Sequence, residues 1–119
     1  MGADRIGHGV ACVRDSTLMR RLATDRTTLE VSPCSNVALG LFDSLESHPL
    51  PEMWEAGLNV TINSDDPPFF STTLANDLRR GARLANLSTD ELVELQRRAA
   101  RAAFAPADER SSLEERVAR

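Results

Sequence analysis

Apolar positions along the chain switch between an alternating and a helical period. Arg5-Ile6-Gly7-His8-Gly9 is a short extended stretch closed by two glycines around a histidine, the pattern of a strand running into a turn. Residues 15–23 change to helical spacing. Leu18, Met19 and Leu22 share one face, Arg20 and Arg21 fall on the other, and Asp15 or Ser16 serves as cap. Residues 28–33 predict a second strand that Pro33 stops. Residues 34–47 read as loop, with a short apolar stretch at Val37, Leu39, Leu41 and Phe42. Residues 48–57 predict a short helix. Its prolines fit the first turn, Gly57 fits the C-terminal cap, and Leu50, Met53 and Trp54 form its buried face.

Residues 58–63 alternate again. Leu58, Val60 and Ile62 take one face of a third strand, and Asn59, Thr61 and Asn63 the other. The strand runs into Ser64-Asp65-Asp66-Pro67-Pro68, where two prolines forbid a continuing ladder. The rest is helical. Residues 73–85 place Leu74, Leu78, Ala82 and Ala85 on one face, with Gly81 weakening the helix by about 1 kcal/mol. Ser88-Thr89-Asp90-Glu91 is a capping box. In the helix it opens, Leu92, Leu95, Ala99, Ala102 and Ala103 form the apolar stripe, while Glu94, Arg97, Arg98 and Arg101 face away. Glu94 and Arg98 make a favourable i,i+4 pair. Pro106 ends this helix, and the tail reads as a short charged helix or a frayed end.

The element order is therefore β–α–β–α–β–α–α, which predicts an α/β fold of parallel strands with crossover helices. At 119 residues the chain is sized for one domain and holds three or four βα units; a closed (β/α)₈ barrel takes about 250 residues. The hydrophobic share of 41% and charged share of 27% are ordinary globular usage and exclude a disordered or collagen-like chain. No apolar run reaches the ~18 residues of a membrane span, and no signal peptide is visible at the N-terminus. Fourteen basic residues, all arginine, against 18 acidic ones give a net charge of −4, which disfavours nucleic acid and anionic membranes as partners. Cys12 and Cys34 read as free thiols in a reducing cytoplasm.

In parallel α/β folds, ligands meet the carboxyl ends of strands. All three predicted strands end in polar groups: the first at His8, the second at Ser32 with Cys34 and Ser35 beyond, the third at Asp65-Asp66. His8 is a candidate general base or metal ligand, or a histidine that only bonds neighbouring backbone. Asp65 and Asp66 point to opposite sides of an extended chain, so one is a candidate metal ligand and the other a candidate substrate contact; a capping carboxylate beside a solvated one is the plainer alternative. His48, ahead of a helix, reads as a cap or packing residue. Cys34, with no basic neighbour in sequence, reads as structural. The arginines of Arg79-Arg80-Gly81-Ala82-Arg83 read as a solvated helix face.

Three motifs in this order and spacing resemble the adenosine deaminase family of the amidohydrolase superfamily: Arg5-Ile6-Gly7-His8-Gly9, Leu29-Glu30-Val31-Ser32-Pro33-Cys34-Ser35-Asn36, and Val60-Thr61-Ile62-Asn63-Ser64-Asp65-Asp66-Pro67. The resemblance covers residues 3–104. It implies a zinc-dependent (β/α)₈ TIM barrel that hydrolyses the six-amino group of a purine, with a zinc-bound hydroxide attacking the ring carbon. By the same resemblance, His8 matches the histidine that orients the attacking water and is a candidate to deprotonate it. Asp65 matches the aspartate ligand of Zn2+, and Asp66 the aspartate that bonds the purine's imidazole ring.

The family's His-x-His pair and His-x-x-Glu motif are not among these residues; the only histidines are His8 and His48. The resemblance therefore implies that residues 1–119 are one partial barrel domain, the sixth to eighth βα units plus C-terminal helices. Such a segment is expected to be inactive alone, for want of the other zinc ligands and the catalytic glutamate. Adenosine or deoxyadenosine is the expected substrate, on the strength of residues 66–74. Alternatives are adenine or another adenine nucleoside, or a non-catalytic remnant or interaction module. The expected partners are the purine substrate and either the remaining barrel or further copies of the chain. The lone chain is expected to self-associate or be molten, with open edges at the first and third strands and Val31, Val60 or Ile62 in an exposed apolar patch.

Overall fold

The computed structural model of the protein describes residues 2–117. Three strands, β1 (Arg5–Gly7), β2 (Thr28–Val31) and β3 (Asn59–Ile62), form a parallel sheet in the order β1-β2-β3. A 3-10 turn (Val10–Arg14) and α1 (Ser16–Asp25) connect β1 to β2. Helices α2 (Pro33–Ala38) and α3 (Leu50–Glu55) connect β2 to β3. Beyond β3 follow α4 (Pro67–Phe70), α5 (Leu74–Leu84), α6 (Thr89–Ala102) and α7 (Ala107–Val117). Among the described residues, β1 and β3 each pair on one side only.

Register and alternation decide which face is apolar. Ile6 pairs with Leu29 and Leu29 with Val60, while Val31 pairs with Ile62, so these five side chains share a face. The next positions, Arg5, Thr28 and Asn59, then Gly7, Glu30 and Thr61, occupy the other face. Leu29, Val31, Val60 and Ile62 sit in the core with Leu50, Met53, Leu58 and Leu95. The expected exposure of Val31, Val60 or Ile62 is therefore corrected: the helices cover that face, and polar side chains line the opposite one. On the polar face, Arg5 pairs with Glu30 at 3.1 Å.

Local signals set most element ends. The Asp15 carboxylate caps α1, accepting from the Thr17 and Leu18 amides. Leu18 stays exposed beside β1, while Met19 and Leu22 are buried. The segment 34–47 is not all loop, because Pro33 starts α2 at a position that needs no N–H donor. The capping box before α6 is complete: the Glu91 amide donates to Ser88 Oγ, and the Ser88 amide donates to the Glu91 carboxylate.

Two helix faces differ from the apolar reading. In α5 the buried positions are Asp77 and Gly81, and Leu74 is exposed. Gly81 lies where helix and sheet come closest, so a β-carbon there would overlap Cδ1 of Ile62. In α6, Leu95 and Ala100 are buried and Ala99 is exposed. Arg98 does not face away. Its guanidinium lies 4.4 Å from the centre of the Trp54 ring and donates to the Leu58 carbonyl at 3.1 Å.

Candidate functional site

The carboxyl ends of the three strands converge on one cleft. β1 runs into His8, whose backbone takes the left-handed conformation at φ 55°, and then into Gly9 at φ 68°. The His8 amide donates to the Glu30 carbonyl at 2.9 Å, which anchors this turn against β2. Glycine suits this position because a side chain is strained at that φ, and a β-carbon would also come within 2.9 Å of Leu29 Cδ2. β2 ends at Val31 and passes through Ser32 into α2, which buries Ser35 and Asn36 behind the cleft. β3 ends at Ile62, and Asn63 still pairs with the Val31 carbonyl at 2.8 Å. The chain then turns through Asp65, left-handed at φ 57°.

These turns bring His8 and Asp65 together. His8 Nε2 lies 3.7 Å from Asp65 Oδ2, beyond hydrogen-bond length, and both side chains are about a third exposed. Asp65 Oδ2 accepts from the Ser35 hydroxyl at 2.7 Å. His8 Nδ1 lies 3.0 Å from the Asn36 amide nitrogen, and the Asn36 amide oxygen lies 3.0 Å from His48 Nε2. Gly7, Glu30, Ser32, Asn63 and Leu74 complete the cleft wall.

Asp66 is not part of this cluster. It is exposed, and its carboxylate accepts from the Phe69 amide at 3.2 Å to cap α4. The two adjacent aspartates thus take different directions, not by alternation along an extended chain but because Asp65 turns left-handed at φ 57° before Asp66 caps α4. His48 does act at a helix start, where its Nδ1 accepts from the Leu50 amide at 3.1 Å. Burial pushes its pKa down to about 4, which keeps the ring neutral. Cys34 gains a basic neighbour only through the fold, with Arg80 Nη1 3.8 Å from Sγ. Burial, and next the Asp77 carboxylate, still raise that thiol above its ordinary value, so it is not an activated nucleophile.

Asn36 and Asp77 carry no chemical assignment in the sequence reading. Asp77 is fully buried, accepting from the Cys34 amide at 3.3 Å and the Thr72 hydroxyl at 2.8 Å, and so ties α5 to α2. Its spacing of four from Gly81 is the available signal, once Gly81 is taken as the contact point of α5. Ser35 and Asn36 stand inside the second motif, but nothing in their spacing announces which groups they meet.

Among the described residues, no three potential ligand side chains converge on a point. A catalytic zinc normally takes three protein ligands. The residues of this chain therefore do not hold zinc by themselves. Two carboxylates line the cleft, those of Asp65 and Glu30, and Glu30 is paired with Arg5.

The family model of adenosine deaminase matches residues 1–119. The chain belongs to the adenosine deaminase family. It is 50% identical over 95 residues to an adenine deaminase of Rhizobium leguminosarum bv. trifolii, an alignment covering 80% of this chain and 30% of that protein. It is 46% identical over 93 residues to an aminodeoxyfutalosine deaminase of Streptomyces coelicolor, covering 78% of this chain and 24% of the relative. The crystal structure of an adenine deaminase from Arthrobacter aurescens superposes with a TM-score of 0.91 at 35% identity, over 98% of this chain and 36% of the other. The chain thus spans less than a third of the curated relatives it matches. Its three parallel strands and helices match about a third of a TIM-barrel amidohydrolase. The chemistry of the family is deamination by hydrolysis. Among the described residues, no helix is long and apolar enough to cross a membrane.

Proposed function

We propose that this chain is the C-terminal part of a hydrolase that replaces the six-amino group of an adenine ring by oxygen, using water and releasing ammonia. The observation that carries the reading is the meeting of His8 and Asp65 at the carboxyl ends of parallel strands, 3.7 Å apart. His8 holds the attacking water by a hydrogen bond, and Asp65 supplies one ligand to a zinc site whose other ligands come from outside these residues. Asp66 contacts the five-membered ring of the purine after giving up part of its capping role. Alone, the 119 residues turn over no substrate. The cytoplasm is the proposed compartment, supported by the two free cysteines.

Free adenine comes first as substrate, because the adenine deaminases named above are similar to this chain at 50% and 35% identity. Adenosine or another adenine nucleoside is the second reading, favoured by residues 66–74 and by the aminodeoxyfutalosine deaminase relative. A fusion tests both: the N-terminal remainder of the Rhizobium enzyme joined to this chain, assayed for ammonia release. Adenine is expected to give the higher kcat/KM, and His8→Ala to lower kcat by about 10²–10⁴-fold. A fusion that folds and binds zinc yet deaminates no adenine compound overturns the proposal in favour of a non-catalytic module.

A further inference from the structure

Three hydrogen bonds join Leu50, His48, Asn36 and His8 end to end, and a backbone group sets their direction. The Leu50 amide lies 3.1 Å from His48 Nδ1. An amide N–H only donates, so Nδ1 is unprotonated and the neutral ring carries its proton on Nε2. That N–H points at the Asn36 side-chain oxygen, 3.0 Å away, which must accept. The Asn36 NH₂ is thereby turned to His8 Nδ1 at 3.0 Å. It too only donates, so His8 Nδ1 accepts, and a neutral His8 carries its proton on Nε2, the atom facing Asp65.

Two features make this order stable. Asn36 and His48 are 1% and 2% exposed, so solvent does not compete for their bonds. His48 is also held against the Phe42 ring, with centroids 4.9 Å apart, which restrains its orientation.

We propose that Asn36 and His48 are positioning residues that lock His8 in its Nε2-protonated tautomer, with that N–H presented to the cleft. Neither residue lines the cleft; both act through His8. The consequence for chemistry rests on the proposed role of His8 and is specific: in its neutral form His8 offers the cleft a hydrogen-bond donor at Nε2, not an acceptor. The bonding order itself stands on the geometry alone.

The experiment is a long-range ¹H–¹⁵N correlation spectrum of the full 119-residue chain labelled at histidine. With two histidines in the sequence, each ring is assigned by substituting the other. In their neutral forms both rings are expected as single Nε2–H tautomers, with no Nδ1–H form. Asn36→Asp keeps the acceptor for His48 but removes the donor to His8. The proton of His8 should then move onto Nδ1 while the His48 signals stay in place. An Nδ1–H form of His8 in the unmodified chain overturns the proposal, as does a mixture like that of free histidine at either ring. An unchanged His8 in a folded Asn36→Asp chain does the same. Where Asn36→Asp loses its fold, seen in the near-ultraviolet signal of Trp54, the spectrum of the unmodified chain decides. Deaminase activity is not read, so failure of the enzymatic reading leaves this result standing.

Discussion

Gly81 of α5 packs directly on Ile62 of β3, with no room for a β-carbon between them; Leu50 Cδ2 would lie 3.3 Å from the same point. Adding a methyl group in a helix normally gains about 1 kcal/mol over glycine. Here it forces a buried side chain to move, at about 1–3 kcal/mol. Gly81→Ala is expected to destabilise the chain modestly and Gly81→Val strongly, by urea denaturation. Ile62→Val removes the overlapping Cδ1, so Gly81→Ala should cost less in that background than alone. Equal costs in both backgrounds would contradict the contact.

His48 makes stability depend on pH. Its native pKa lies at about 4 against an ordinary 6.5, because burial disfavours the charged ring. As pH falls below 6.5 the unfolded chain takes up a proton that the native chain refuses, so stability present above 6.5 is lost down to about 4. Between pH 7.5 and 5 the contribution is about 2 kcal/mol. Urea melts at these two values should differ by about that amount more in the unmodified chain than in His48→Gln. Parallel pH dependence in the two chains would remove His48 as the source.

The Ser35 hydroxyl fixes one carboxylate oxygen of Asp65. Partners behind a metal ligand typically change affinity by about 10–100-fold. In the fusion with the Rhizobium N-terminal portion, Ser35→Ala should weaken zinc retention within that range, measured by competition with a chelator. Unaltered retention would mean that Ser35 is incidental to the site.

The two motifs that contain His8 and Asp65 are legible because each is contiguous and stands where a strand stops. The network behind them is not. Asn36 and His48 are separated by a loop, and the bond between them, 3.0 Å long, closes across twelve residues, which no local period encodes. Gly81 shows the same limit. Read alone it only weakens a helix; its reason is the close approach of Ile62, known once α5 lies on β3. Apolar periodicity in α5 therefore selects Leu74, whereas contact with α2 buries Asp77 and contact with β3 buries Gly81. The charge of Arg98 predicts the solvent side, but its long stem lets it cover Trp54 and reach the Leu58 carbonyl.

β1 and β3 present unpaired edges among the described residues. Such edges template pairing with other chains. Since the apolar sheet face is covered, association should occur between folded units. Sedimentation at tens of micromolar should show species heavier than one chain, with the near-ultraviolet signal of Trp54 retained. A monomer under those conditions would contradict edge-driven association.

The central claim is that Asp65, held at the end of β3 beside His8, is a zinc ligand of a barrel this chain completes. Zinc content of the purified fusion, by atomic emission, tests it most directly. The fusion and its Asp66→Ala variant are expected to hold about one zinc per chain, and Asp65→Ala close to none, with folding of all three checked by circular dichroism. Full zinc content in a folded Asp65→Ala fusion would contradict the account.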